Sequence, residues 1–215
     1  MTKKEFLSNL KSPLDNLVWK KFPNGNILQY WAENPQLYSQ AFGQKDDLHV
    51  FLGGHSGIDI FTKWRDEVKA MHDGTVSWVT TDRISPGGLG VWVRSPELEN
   101  GEFIETCYVH LDEMKVNIGD VVKQGDVLGY LGNSGFVVSD STPYWGNAPA
   151  GIGAHLHCGG YELIERDGGI YKQSPNPLMG SFDLVPWFTN DFTGAQTLLY
   201  NLDKLLRYWK IKYDL

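Results

Sequence analysis

Four of the six histidines stand in three places where their spacing allows metal chemistry. The first is HSGID, which sets His55 four residues before Asp59. On a straight strand such residues share a face about 13 Å apart, too far to share one ion whose nitrogen and oxygen ligands sit at roughly 2.0–2.2 Å. The chain must therefore bend between them, and Gly57 at the midpoint can bend and leave space. The second place is AHLHCGG, with His155 and His157. On a strand they project from one face about 6.6 Å apart, so that one can bind an ion while its neighbour reaches the water beside it. Glycines 151, 153, 159 and 160 bracket this strand and let other backbone or a substrate approach. The third place is CYVHL, with His110 at a strand end. Alternation puts Tyr108 and His110 on one face and Cys107 and Val109 on the other. Cys158 likewise points away from His155 and His157. If the two histidine strands are neighbours, both thiols lie together behind the reactive face, buried rather than ligating.

Each element has a plain structural explanation when taken alone. A lone strand-end histidine is more often structural, HxH arises by chance, and HxxxD is weaker still. The joint order is what points to metal: a ligand pair, then a histidine, then HxH, with glycine-rich turns between. His49 and His72 have no such company and read as surface or structural residues.

The elements that must position these side chains read as β-structure. The chain has 215 residues with 24 glycines and 10 prolines, which favours a turn-rich β protein over a helical bundle. DLHVFLG, GIDIFT, GTVSWVTT, GVWVRS and FIETCYVHL are short, rich in β-branched and aromatic residues, and divided by turn residues. PGGLG (86–90) and ENGE (99–102) read as hairpin loops, so consecutive strands pair antiparallel. VNIGDVVKQGDVLGYLGNSG (116–135) reads as short strands winding tightly around Gly-Asp turns. The expected organisation is an irregular N-terminal arm over 1–45, a β domain over 46–182, and a helical extension over 183–215. In the extension Ala195, Leu198, Leu199, Leu202, Leu205, Leu206 and Trp209 follow a helical period behind a Thr193/Gln196 capping box. This amphipathic helix packs on its own domain or serves as a partner contact.

These residues resemble the lysostaphin- and LytM-type zinc metallo-endopeptidases, which cut peptide cross-links in bacterial peptidoglycan. The match runs in order through HSGIDI, AMHDGTVSWV, GLGVWVRS, YVHL, VNIGDVVKQGDVLGYLGNSG and AHLHCGG, over about residues 51–163. The resemblance implies a mainly β fold with an antiparallel sheet core forming a substrate groove, of the duplicated-hybrid-motif kind. It implies one zinc ion held by His55, Asp59 and His157, with His155 as general base and His110 orienting the water or steadying developing charge. Two departures stand out. The stretch FVVSDSTPYWGNAPAGIGA is a longer insert than the family usually has before HxH. It carries Tyr144 and Trp145, expected in a wall of the substrate groove. Cys158 replaces the usual aromatic residue after the second histidine of HxH.

Three protein ligands leave zinc a fourth position for water, the arrangement of a catalytic site. The resemblance implies a peptidoglycan peptide as the substrate. Two other classes fit less well. A non-catalytic cell-wall-binding or regulatory scaffold of the same fold has no need of five intact chemical positions. A carrier or phosphotransfer domain, suggested by VKQGDVLGYLGNSG, needs a modifiable lysine that Lys123 does not provide, and has no use for the carboxylate of Asp59. A zinc peptidase acting on another peptide uses the same residues. The net charge of −7, with no basic block, argues against a nucleic-acid partner. No apolar stretch approaches the roughly 20 residues of a membrane span. MTKKEFLSNLKSPLDNL has two lysines but no apolar core after them, unlike an ordinary secretory signal. The expected place of action is the bacterial cell wall, reached outside the cell, in the periplasm or by phage delivery.

Overall fold

The computed structural model describes residues 1–15, 38–40, 55–60, 63–139, 142–166, 170–173, 180–182, 184 and 187. Within them one helix, α1 (Lys3–Ser8), precedes the strands. These are β1 (Tyr38–Gln40), β2 (Ile58–Ile60), β3 (Glu67–Lys69), β4 (Gly74–Thr80), β5 (Leu89–Arg94), β6 (Glu102–Met114) and β7 (Val121–Val122). There follow β8 (Val127–Leu131), β9 (Phe136–Ser139), β10 (Thr142–Trp145), β11 (Leu156–Arg166), β12 (Ile170–Gln173) and β13 (Ser181–Phe182). The mainly β, antiparallel expectation holds. The amphipathic helix expected from Thr193 to Trp209 within the 183–215 extension, and the strand DLHVFLG, lie outside the described residues.

One sheet runs in the order β1-β2-β11-β6-β5-β4-β7. Its two longest strands, β6 and β11, lie side by side at the centre, with His157 opposite Val109 and Ile164 opposite Glu102. Strand β2 lies on the other flank of β11, with Asp59 directly opposite His157. Strand β8 pairs with the far half of β6 and with β3, and the β6–β7 and β7–β8 connections turn at Gly119 and Gly125, both with positive φ. The insert forms a separate two-stranded hairpin, β9–β10.

The face of the sheet turned from His157 carries the core. Ile104, Thr106 and Tyr108 of β6 and Cys158 of β11 are fully buried there, with Val91, Val93, Leu111, Leu128, Leu131 and Leu156. Each aliphatic side chain so buried contributes about 1.5–3 kcal/mol. A hydrogen-bond chain threads this core. The Met71 amide donates to the Tyr108 hydroxyl at 2.8 Å, which lies 2.9 Å from Thr106 Oγ1. Thr106 Oγ1 lies 3.0 Å from His72 Nε2, while His72 Nδ1 donates to the Asp73 carbonyl at 2.8 Å. Every link has one donor and one acceptor, as buried polar groups require.

Residues 3–8, read from the sequence as part of an irregular arm, form α1. Thr2 caps the Glu5 amide and the Glu5 side chain returns to the Thr2 amide, a complete capping box. Phe6, Leu7, Leu10 and Leu14 join the core of the sheet, and the Phe6 ring meets His72 edge-on at 5.0 Å between centroids.

Candidate metal centre

Strand β2 begins only at Ile58, because the chain bends through Ser56 and Gly57 after His55. That bend folds His55 back over Asp59, as the four-residue spacing requires. A Cβ on Gly57 would stand 2.5 Å from the Cys158 carbonyl and 2.7 Å from His157 Nε2, so no side chain fits there. The bare backbone lets the His157 ring lie against β2 and turn its other nitrogen toward Asp59.

His55 Nε2, Asp59 Oδ1 and His157 Nδ1 converge. The separations are 2.8 Å between the two nitrogens, 3.3 Å from His55 to Asp59 and 3.0 Å from His157 to Asp59. All three side chains offer a ligand atom within 4.8 Å of the others. The donor set suits a cation. A single proton can serve only one of three close pairs of lone-pair atoms, whereas one ion of zinc's bond length, roughly 2.0–2.2 Å, can touch all three. Electrostatics favour the charged carboxylate of Asp59 and the neutral ring of His157, the forms in which such groups can hold a metal. Burial works against the charge on Asp59, yet the imidazoles of His55, His155 and His157 outweigh it and hold this carboxyl well below its ordinary value. Burial pushes His157 down, keeping its ring neutral.

His110 and His155 stand beside this triad, their ring centroids 4.6 Å apart, with His110 6.3 Å from the His157 ring. His155 Nε2 lies 3.7 Å from Asp59 Oδ2. Regular alternation would put His110 on the core face with Tyr108. The structure corrects this: His110 has φ +63°, a left-handed conformation rare for a residue with a side chain, and the pairing of β6 with β5 slips between Val91 and Leu89. The bulge turns the imidazole onto the His157 face. Strain of this kind at a residue with a side chain persists where surrounding contacts hold it; here the His110 amide donates to the Gly87 carbonyl at 2.8 Å.

Both of these rings are held by backbone. His110 Nδ1 lies 2.8 Å from the Ser134 carbonyl and His155 Nδ1 lies 2.8 Å from the Gly153 carbonyl. A carbonyl only accepts, so each Nδ1 carries a proton, and the neutral tautomer this selects has its lone pair at Nε2. Burial, reinforced by the neighbouring His155 and His157, pushes His110 down to about 3. Sequence reasoning missed these two carbonyls, since a backbone acceptor has no residue type to betray it; the GNSG segment at 132–135 was the only hint.

The thiols are corrected too. Cys107 sits opposite Gly159 and Cys158 opposite Tyr108, so the register places them on opposite faces of the sheet rather than together. Both are buried. Burial pushes the Cys107 thiol up to about 12, which keeps it protonated and unsuited to ligation. Tyr144 and Trp145 belong to β10, where the Trp145 ring packs on Phe136 at 4.5 Å and keeps 52% of its surface exposed.

The model of peptidase family M23 matches residues 53–166, more than half of the chain. Glycyl-glycine endopeptidase ALE-1 of Staphylococcus capitis is 30% identical over 110 residues, 49% of this chain and 27% of that protein. Lysostaphin of Staphylococcus simulans is 29% identical over 49% of this chain and 20% of its own length. The chain thus spans about a quarter of these curated relatives. The solved catalytic domain of Staphylococcus simulans lysostaphin superposes with a TM-score of 0.47 at 22% identity, covering 72% of this chain and 93% of that one. With its antiparallel sheet and with the HxxxD and HxH segments both inside the matched span, this chain belongs to peptidase family M23.

Proposed function

We propose that this protein is a zinc-dependent endopeptidase that hydrolyses peptide bonds in bacterial peptidoglycan cross-links. The observation carrying the reading is the convergence of His55 Nε2, Asp59 Oδ1 and His157 Nδ1 within 3.3 Å, beside the rings of His110 and His155, whose centroids lie 4.6 Å apart. A metal suits the family, and two imidazoles with one carboxylate suit zinc among metals. Bound there, zinc supplies a Lewis acid that polarises a carbonyl and lowers the pKa of water from 15.7 toward about 7.

The chain's own residues do the rest. His155, with Nδ1–H fixed on the Gly153 carbonyl, offers Nε2 to take the attacking water's proton and pass it to the leaving amine. His110 offers a lone pair at Nε2 and resists protonation, so it accepts a hydrogen bond and orients the water rather than donating to a developing oxyanion. Of the two roles its position suggested, the tautomer favours the first. Asp59 contributes one negative charge, leaving the centre net positive.

The names of the relatives put the glycyl-glycine bond first among substrates to test, and the insert with Tyr144 and Trp145 is the part of this chain that would change that preference. Action at the cell wall belongs to the same proposal. The test is incubation with purified peptidoglycans of different cross-bridge type, with and without chelator, followed by mass analysis of soluble fragments. The proposal expects new amino termini at one cross-link position, abolished by chelator and restored by zinc. Intact peptidoglycan of every type with the zinc-loaded protein would leave the wall-binding scaffold as the better reading.

A further inference from the structure

The last turn of the insert between β8 and β11 is held by a buried residue, Asn133. Asn133 is 6% exposed, and its side-chain amide donates to the Pro149 carbonyl at 2.7 Å and the Ile152 carbonyl at 2.9 Å. Two carbonyl acceptors fix which end of the amide points at them, since only the NH2 group can donate to both. The turn so held, closed by the Ile152 amide on the Pro149 carbonyl at 3.0 Å, ends one residue before Gly153. Gly153 has φ +64°, and its carbonyl is the acceptor for His155 Nδ1. On the other side, Gly132 bridges His155 through the His155 amide at 3.1 Å. The neighbouring Ser134 holds His110 instead: its carbonyl takes the His110 proton while its hydroxyl is locked between the Leu111 carbonyl, at 2.6 Å, and the Leu89 amide, at 2.9 Å. Adjacent residues thus serve different histidines.

We infer that Asn133 is a positioning residue for the reaction: by stapling the 149–152 turn it fixes the Gly153 carbonyl, and through it the ring orientation and tautomer of His155. The inference rests on the assignment of His155 as the proton-transfer group. Groups that fix the far nitrogen of a functional histidine commonly matter about 10–100-fold in activity or metal affinity. The amide of Asn133 thereby links the last turn of the insert to the reacting imidazole.

The test compares the zinc-loaded full chain with Asn133→Asp, which keeps the shape but loses both donated bonds, and with Gly153→Ala, which strains a left-handed carbonyl without touching Asn133. Imidazole 15N spectra at mildly alkaline pH report the tautomers, and zinc content and turnover at saturating purified peptidoglycan are measured alongside. The expected result is one zinc retained, a new population of His155 protonated at Nε2, His110 unchanged, and turnover about 10–100-fold lower with little change in half-saturating substrate. A His155 spectrum identical to that of the parent protein in whichever variant folds overturns the inference. If the parent protein cleaves no peptidoglycan, the proposed function fails while the nitrogen spectra still decide the role of Asn133.

Discussion

His157 and His155 sit two residues apart, yet their rings hang on different things. His157 lies against the bare backbone of Gly57 and turns Nδ1 to Asp59, whereas His155 spends Nδ1 on a carbonyl and offers Nε2. His157→Ala should lose bound zinc and activity together. His155→Ala should keep the zinc and lose about 10²–10⁴-fold in turnover, the usual weight of a positioned acid–base group. Metal analysis beside peptidoglycan hydrolysis checks both; metal lost from the second variant and kept by the first would reverse the assignment. At this scale the sequence was informative about residue types and spacing, and Gly57 was readable as a space-making residue. The direction of His110 was not readable, because a single left-handed φ inverts what alternation dictates. The same parity reasoning misplaced the thiols, since it took neighbouring strands without knowing which residue of β6 faces which residue of β11.

Strands β4, β5 and β6 were legible from their β-branched and aromatic runs and the turns between them. The Thr2–Glu5 capping box of α1 was present in the letters, but six residues are too few to show a helical period. What no strand reading could supply is the hydrogen-bond chain behind β6, whose members come from β6 and from the turn before β4. Tyr108→Phe removes the acceptor of the Met71 amide and the partner of Thr106. Leaving a buried amide unpaired costs about 1–3 kcal/mol, so urea denaturation should show a loss in that range. Zinc content and turnover should stay at parental levels, because the chain lies on the face away from the metal site. Lost zinc at unchanged stability would mean that this network positions the site instead.

For the molecule as a whole, His72 couples folding to pH. Burial pushes it from 6.5 to about 4, against the opposing pull of the Asp73 carbonyl and carboxylate. Between those values the unfolded chain binds a proton that the folded chain does not, so stability rises with pH through this window. The contribution is intact above 6.5 and is lost as pH falls toward 4, amounting to about 3 kcal/mol. Denaturation curves for the parent and His72→Gln at both ends of the window should therefore converge toward acid; parallel pH dependence would count against a neutral buried imidazole. His72 was read from the sequence as surface or structural, and the buried network makes it structural.

The most direct test of the metal centre is anomalous diffraction at the zinc edge from crystals of the zinc-loaded protein. A single peak at roughly 2.0–2.2 Å from His55 Nε2, Asp59 Oδ1 and His157 Nδ1, with no fourth protein ligand, is the predicted result. A peak centred elsewhere, or closed off by a fourth side chain such as His155, would contradict it.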